Sequence, residues 1–404
     1  MYDVAIVGAR CAGSALALML AREGLKVLMI DRASFPSDTM SGHFIQPAGV
    51  SCLRRLGLLE GLETLGAPAQ ETMTVDFGPV VLSGRPTAAP DGTSAAYAPR
   101  RYLFDPMLAD AAVAAGAALR EAASFVEPLV EDGRVTGIWV QGDSRHLEAV
   151  RARLVVGADG KRSRFARMVG AQPYDTHPAA GCMYYAYWSG FDTDANSTRL
   201  FVRDGLFAVV VPSNDDLTFV GFSWPHAEFT RVRSNIGKAY HEAAATLPWI
   251  ADRLAGASQA ERFIGTGDLD GFFRTASGPG WALLGDAGYH KDPITAQGMT
   301  DALLHAELLA AAIVEGFSEG GSLDVALTRY GERRDEKARP MYGLTCDLAR
   351  LAPPPPEMAT LIGALAADPQ GTRDFLGLMA GTVAVPDFFA PANLARITGQ
   401  PIAA

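Results

Sequence analysis

The chain has 404 residues, 49% of them hydrophobic and 20% charged, with a formal net charge of -10. This is a globular composition with room for two closely packed domains, and the negative balance argues against nucleic acid or an anionic membrane as partner. No apolar run reaches the ~18 residues that a bilayer span needs, and a strand begins at once with no basic leader, so no membrane span and a cytoplasmic setting are expected.

Residues 3–7 (DVAIV) read as a strand buried on both faces. Ala12, Ala15, Leu16, Met19 and Leu20 then recur at helical spacing as far as Gly24, and residues 26–30 (KVLMI) form a second strand ending in Asp31. The three make a parallel, right-handed βαβ unit. Residues 50–60 read as a short amphipathic helix, and the Gly-, Pro-, Ala- and Thr-rich stretch 70–99 leaves the sheet. Asp105 and Pro106 carry N-cap and first-turn signals for a helix that Gly116 stops. Asp132-Gly133 marks a hairpin, and residues 152–160 (ARLVVGADG) form another buried strand. From 173 to 264 the chain is β-prone and aromatic, as a sheet walling a pocket would be, and helical pattern returns only after 297. The run Pro353 to Pro356 breaks the chain, leaving residues 341–404 as a helical appendage.

The stretch VAIVGARCAGSALALML (4–20) approaches GxGxxG, with Gly8 and Gly13 in place and Arg10 at the middle position. Such glycines permit a tight turn and close backbone approach to a pyrophosphate, at a helix N-terminus whose free N–H groups favour anions. Asp31 stands where a carboxylate can accept ribose hydroxyls. Taken alone, a plain βαβ unit with small residues at the crossover explains the pattern as well. Two distant motifs change the weighting: GADGKRSRFAR (157–167) and LLGDAGYHKDPITAQGMTDAL (283–303). In the latter an acid at a strand end can hold ribityl hydroxyls, and a turn opens a helix whose N–H groups suit an electron-rich carbonyl edge.

In this order and spacing the three elements resemble the FAD-dependent aromatic hydroxylases typified by para-hydroxybenzoate hydroxylase. The wider superfamily also holds geranylgeranyl reductases and flavin-dependent halogenases. The resemblance covers most of residues 1–172 and 265–315. It implies that Gly8, Arg10, Cys11, Ala12 and Gly13 carry the ADP part of FAD, joined by Asp31, Arg32 and Val126. Arg101, in RYLFD, matches the arginine that lies along the diphosphate and ribityl region, and Asp159 begins the family's Asp-Gly motif. Gly285 and Asp286 would meet the ribityl chain, and Pro293, Gly298 and Met299 the isoalloxazine. The chain departs from the family pattern at Arg10, Tyr289 (His in the family), Thr295 (Gly) and Thr300 (Asn).

The implied architecture is α/β, a Rossmann-like FAD-binding domain with an inserted β-sheet substrate domain and a helical C-terminal segment. Residues 1–75, 100–172 and 265–340 would form the FAD-binding domain, 76–99 and 173–264 the substrate domain, and 341–404 the C-terminal segment. His43, Tyr289 and His290 are the catalytic candidates. His43, like Gln46, would either contact FAD or substrate or serve its own loop, while Lys291 is expected at the surface. The aromatic set Tyr184, Tyr185, Tyr187, Trp188, Phe207, Phe222 and Trp224 should divide between pocket and core. His305 and Glu307 fit the wetter face of the helix over 301–314. Cys11, Cys52, Cys182 and Cys346 show neither CxxC spacing nor His partners, so no metal site or disulfide is expected.

The activity implied is that of a monooxygenase using NADPH or NADH and O2, by way of a flavin C4a-hydroperoxide, on an aromatic, polyketide-like or otherwise apolar small molecule. With one dinucleotide fingerprint, the nicotinamide should bind transiently, and the protein should be a monomer or homodimer. An alkene reductase is the alternative, although Ser41-Gly42 stands where those relatives tend to carry Cys-Gly. A halogenase lacks its W-x-W-x-I-P signature here. An idle ligand-binding module stays open, and an NAD dehydrogenase leaves residues 283–303 unexplained.

Overall fold

The computed structural model describes residues 1–142 and 146–399. Strand β1 (Tyr2–Val7) runs into helix α1 (Cys11–Arg22) and strand β2 (Val27–Ile30), which pairs parallel to β1. Helix α2 (Pro47–Arg55) precedes the hairpin of β3 (Thr72–Asp76) and β4 (Val81–Gly84). Helix α3 (Arg101–Ala114) leads through the 118–141 strands to β5 (Leu147–Gly157), which lies parallel on the other side of β1. Next come β6 (Gly181–Ser189), β7 (Ser197–Arg203), β8 (Leu206–Pro212) and β9 (Leu217–Pro225). Strand β10 (Trp281–Leu283) returns to pair with β5, followed by α4 (Gly298–Phe317), α5 (Leu323–Leu348) and α6 (Pro369–Met379).

Two sheets organise the chain. The first runs β10–β5–β1–β2 with the strand Ala118–Arg120 beyond β2, all parallel. Its strands are buried on both faces, as continuous apolar runs require. One face packs on α1, α3 and α4 through Leu16, Phe104, Leu303 and Leu309, and the other on Phe125, Ile138 and Phe165. The second sheet runs β6–β9–β8–β7–β3–β4, so the 70–99 stretch adds its hairpin to the 181–225 strands.

Three expectations need correction. The helix after residue 100 starts at Arg101 with Arg100 as its cap, and Pro106 lies inside it. Asp105 is drawn away from capping because both its oxygens are taken by arginines. Helical structure also appears well before 297, at Phe229–Ser234, Ile236–Ala245 and Pro248–Leu254. Small apolar residues such as Ala239, Ala243 and Ala244 let these helices lie close on the back of the second sheet, where Tyr240 takes a 2.9 Å bond from the Trp188 indole. Finally, α5 runs unbroken through Pro340 and residue 341, so the core and the C-terminal segment share one helix.

Candidate functional site

The β1–α1 turn has no space for side chains. Gly8 has φ +107 and a Cβ there would lie 2.4 Å from the Ala158 carbonyl oxygen, while a Cβ on Gly13 would lie 1.9 Å from that of Gly8. Helix α1 carries no side-chain cap and no acid in its first turn, so its N–H groups are open to an anion. Asp31, buried at the end of β2, accepts 2.9 Å bonds from the Ala9 and Ala33 amides and so braces the turn. Arg32 beside it is exposed.

Arg10 does not drift into solvent. It donates to Asp105 at 2.8 Å and to the Ser37 hydroxyl at 2.9 Å. Arg101 grips the same carboxylate through two 2.9 Å bonds and reaches the Ser41 hydroxyl at 3.4 Å. One fully buried carboxylate thus faces two guanidiniums, leaving one positive charge in excess beside the α1 N-terminus. That donor set fits a diphosphate.

The third motif lands against this turn. A Cβ on Gly285, whose φ is +59, would lie 3.0 Å from that of Ala12, and the Cys11 thiol is 3.9 Å from the Met299 carbonyl oxygen. Asp286 is exposed just beyond β10. The chain then makes a single turn at Pro293–Thr295, passes through Ala296 at φ +50, and opens α4 at Gly298 with no side-chain cap. The N-termini of α1 and α4 therefore serve one cleft, and a flavin dinucleotide, with its anionic centre and carbonyl-bearing ring, fits the glycine cradle and both sets of free donors. Val126 sits in the bulge of the strand Ser124–Glu131, whose start is tied to β2 by the bond from the Ala123 amide to the Asp31 carbonyl. Asp159 turns inward on its own loop, accepting from the Arg164 and Phe165 amides at 2.8 and 3.1 Å.

The catalytic candidates part ways. His43 is 2% exposed and has φ +51. Its Nδ1 lies 2.9 Å from the Tyr187 hydroxyl and its Nε2 3.5 Å from Asp38. Burial pushes His43 below the usual histidine range. A proton on Nε2, the side facing Asp38, would make Nδ1 the acceptor of the Tyr187 hydroxyl. Tyr289 instead packs behind the loop against Phe273, His305 and Tyr342. His290 bonds the Asp270 carbonyl at 2.7 Å through Nδ1 and stacks on Phe272.

Two side chains expected in water are buried. Lys291 pairs with Asp301 and reaches the Tyr289 hydroxyl at 3.2 Å. His305, on the inner face of α4, is pushed by burial down to about 4. In both cases packing of the loop against α4 and α5 overrides the local polarity.

The second sheet presents Met183, Tyr185, Tyr187 and Phe219 towards the cleft, while Tyr184, Trp188, Phe222 and Trp224 belong to the core behind it. Between that face and the Pro293–Ala296 turn lies a cavity lined by Phe44, Gln46, Met183, Phe207, Phe219 and Met379, among others. Met379 comes from the end of α6, which Gln297 holds by a 2.9 Å bond from its Nε2 to the Met379 carbonyl. Sequence reading missed Asp105, Tyr187 as partner of His43, and Met379. Only Asp105 carried a local signal, its spacing of four from Arg101.

These features define a flavin-binding enzyme. Residues 1–255 match the family described as FAD binding domain, and the chain belongs to it: it is a flavin oxidoreductase whose cofactor is FAD. Among its relatives, conditioned medium factor receptor 1 of Dictyostelium discoideum is 28% identical over 82% of this chain, which spans only 66% of that protein. Digeranylgeranylglycerophospholipid reductase 2 of Methanopyrus kandleri is 26% identical over 83% of both chains. The 6-methylpretetramide 4-monooxygenase of Streptomyces rimosus is 28% identical over 78% of this chain and 75% of its own. The flavin-dependent brominase Bmp2 shares the fold, with a TM-score of 0.81 at 19% identity over 98% of this chain and 97% of that one.

Proposed function

We propose that this protein is a monooxygenase that uses NADPH or NADH and O2 to hydroxylate an aromatic or polyketide-like small molecule. The observation that carries this reading is the apolar cavity beside the Pro293–Ala296 turn. FAD bound in the cleft supplies two-electron redox chemistry. The protein's own residues hold, orient and keep dry. The α1 N-terminus, Arg10 and Arg101 would hold the diphosphate, and the free amides at the start of α4 would suit the ring's carbonyl edge. Met183, Phe219 and Met379 would keep water from a substrate in the cavity. His43 and Tyr187 share a hydrogen bond next to Gly42 and Phe44, which line the cavity.

The test is isotopic. Protein loaded with FAD, given NADPH and a panel of phenols under labelled O2, should incorporate one labelled oxygen atom per product. The relationship to the Methanopyrus kandleri reductase favours a second reading, saturation of an isoprenoid alkene in the same apolar cavity. Anaerobic reduction of such a substrate, with no oxygen incorporated into any phenol, would establish that reading in place of the first.

A further inference from the structure

We propose that the Gln46 side-chain oxygen is the polar anchor of the substrate, which is an uncharged apolar molecule carrying one hydroxyl donor. The inference rests on the cavity described above being the substrate site. Gln46 is 3% exposed and lines that cavity. Its position is held at two points: its backbone N–H donates to the Thr300 hydroxyl at 3.0 Å, and Nε2 donates to the Thr295 carbonyl at 3.2 Å. The carbonyl can only accept, so Nε2 must face it, and this decides which way the amide points. Oε1 is then left buried with no partner, an arrangement that a bound donor relieves.

The rest of the lining sharpens the ligand's chemistry. No Asp, Glu, Lys, Arg or His side chain borders the cavity, so a carboxylate or ammonium would enter without a counter-charge. Its other polar side chains are already engaged. Thr198 donates to the Gln70 side-chain oxygen at 3.3 Å, and Thr295 shares a 3.0 Å bond with Thr345. Among the lining side chains, the buried polar atom with no hydrogen bond is Gln46 Oε1. Gln46 is tied to the Pro293–Thr295 turn through the Thr295 carbonyl, so a hydroxyl held by Gln46 would lie near a flavin ring that met this turn.

The experiment measures equilibrium binding to the FAD-loaded protein by perturbation of flavin absorbance, with 4-ethylphenol, ethylbenzene and 4-ethylbenzoate as probes. 4-Ethylphenol should bind roughly tenfold more tightly than ethylbenzene, and 4-ethylbenzoate most weakly. Gln46→Leu should bring 4-ethylphenol down to the ethylbenzene level while leaving FAD content, the flavin spectrum and ethylbenzene affinity unchanged. Persistence of the phenol preference in Gln46→Leu overturns the proposal, as does tightest binding of the benzoate or no binding of the phenol. A Gln46→Leu protein that loses FAD or shifts its ligand-free spectrum overturns it too, because the Gln46 amide then serves the flavin or the turn that Nε2 holds at Thr295. No turnover is read, so failure to oxidise these probes bears on the monooxygenase reading and not on the anchor.

Discussion

Gly285 and Ala12 meet face to face, with a Cβ on Gly285 falling 3.0 Å from the Ala12 methyl although the two residues lie on distant motifs. This contact joins the β1–α1 turn to the loop that opens α4, and the separation of the α1 and α4 N-termini depends on it. Gly285→Ala would place a methyl there and force an L-residue into φ +59, at a cost of about 1–2 kcal/mol. FAD affinity, titrated by flavin fluorescence, should fall roughly tenfold. An unchanged dissociation constant would mean that the loop's position does not govern cofactor binding.

Asp105 holds Arg10 and Arg101 together from a fully buried position. Asp105→Asn removes the charge that balances two guanidiniums and should destabilise the protein by roughly 3 kcal/mol. Part of that loss should return when FAD is added, since the diphosphate supplies the missing negative charge. Urea midpoints with and without FAD test this, and a variant as stable as the parent without cofactor would contradict it.

Arg334, 1% exposed on α5, ties down the back of the loop that runs from Gly285 to α4. It donates to the Gly288 and Arg274 carbonyls at 3.2 and 2.9 Å and to the Tyr174 hydroxyl at 3.0 Å. Arg334→Met fills similar volume but removes the donor to the Arg274 carbonyl and the Tyr174 hydroxyl and the 2.8 Å ion pair with Asp335, so stability should drop by about 3 kcal/mol. Arg334→Lys should recover only part, because an ammonium lacks the planar fork that reaches all three.

Two groups, the buried His305 and the half-buried Asp292, oppose each other as pH falls. Burial pushes His305 from 6.5 down to about 4. Between those values the unfolded chain takes a proton that the fold refuses, so stability present above pH 6.5 is lost on acidification, by roughly 3 kcal/mol. Burial raises Asp292 from 3.8 to about 6, and there the fold takes the proton first, so that contribution grows as pH falls and is lost as pH rises through 6. His305→Leu should therefore become relatively more stable between pH 6.5 and 4.5, and Asp292→Asn less stable, as read from urea midpoints at each pH. If both variants keep the parent's slope, neither group titrates differently in the folded state.

The buried strands and the three glycine-bearing turns were readable along the chain because backbone demands are local. A parallel strand needs an apolar run, a crossover at a phosphate needs residues without a Cβ, and a helix N-terminus brings its own N–H donors. The same locality made Asp105 look like a cap, and the short helices from Phe229 to Leu254 went unread within a stretch dominated by β-prone, aromatic strands. Lys291 and His305 look hydrophilic by type, yet packing between α4 and the loop leading into it buries both.

Tertiary structure alone decided which charge meets which. Asp105 lies between Arg10 and Arg101, His43 between Asp38 and Tyr187, and Met379 closes a cavity whose other walls come from residues 42 to 296. A side chain's partner depends on what folding brings within about 4 Å of it, and sequence spacing reports that distance only within a helix, a strand or a turn.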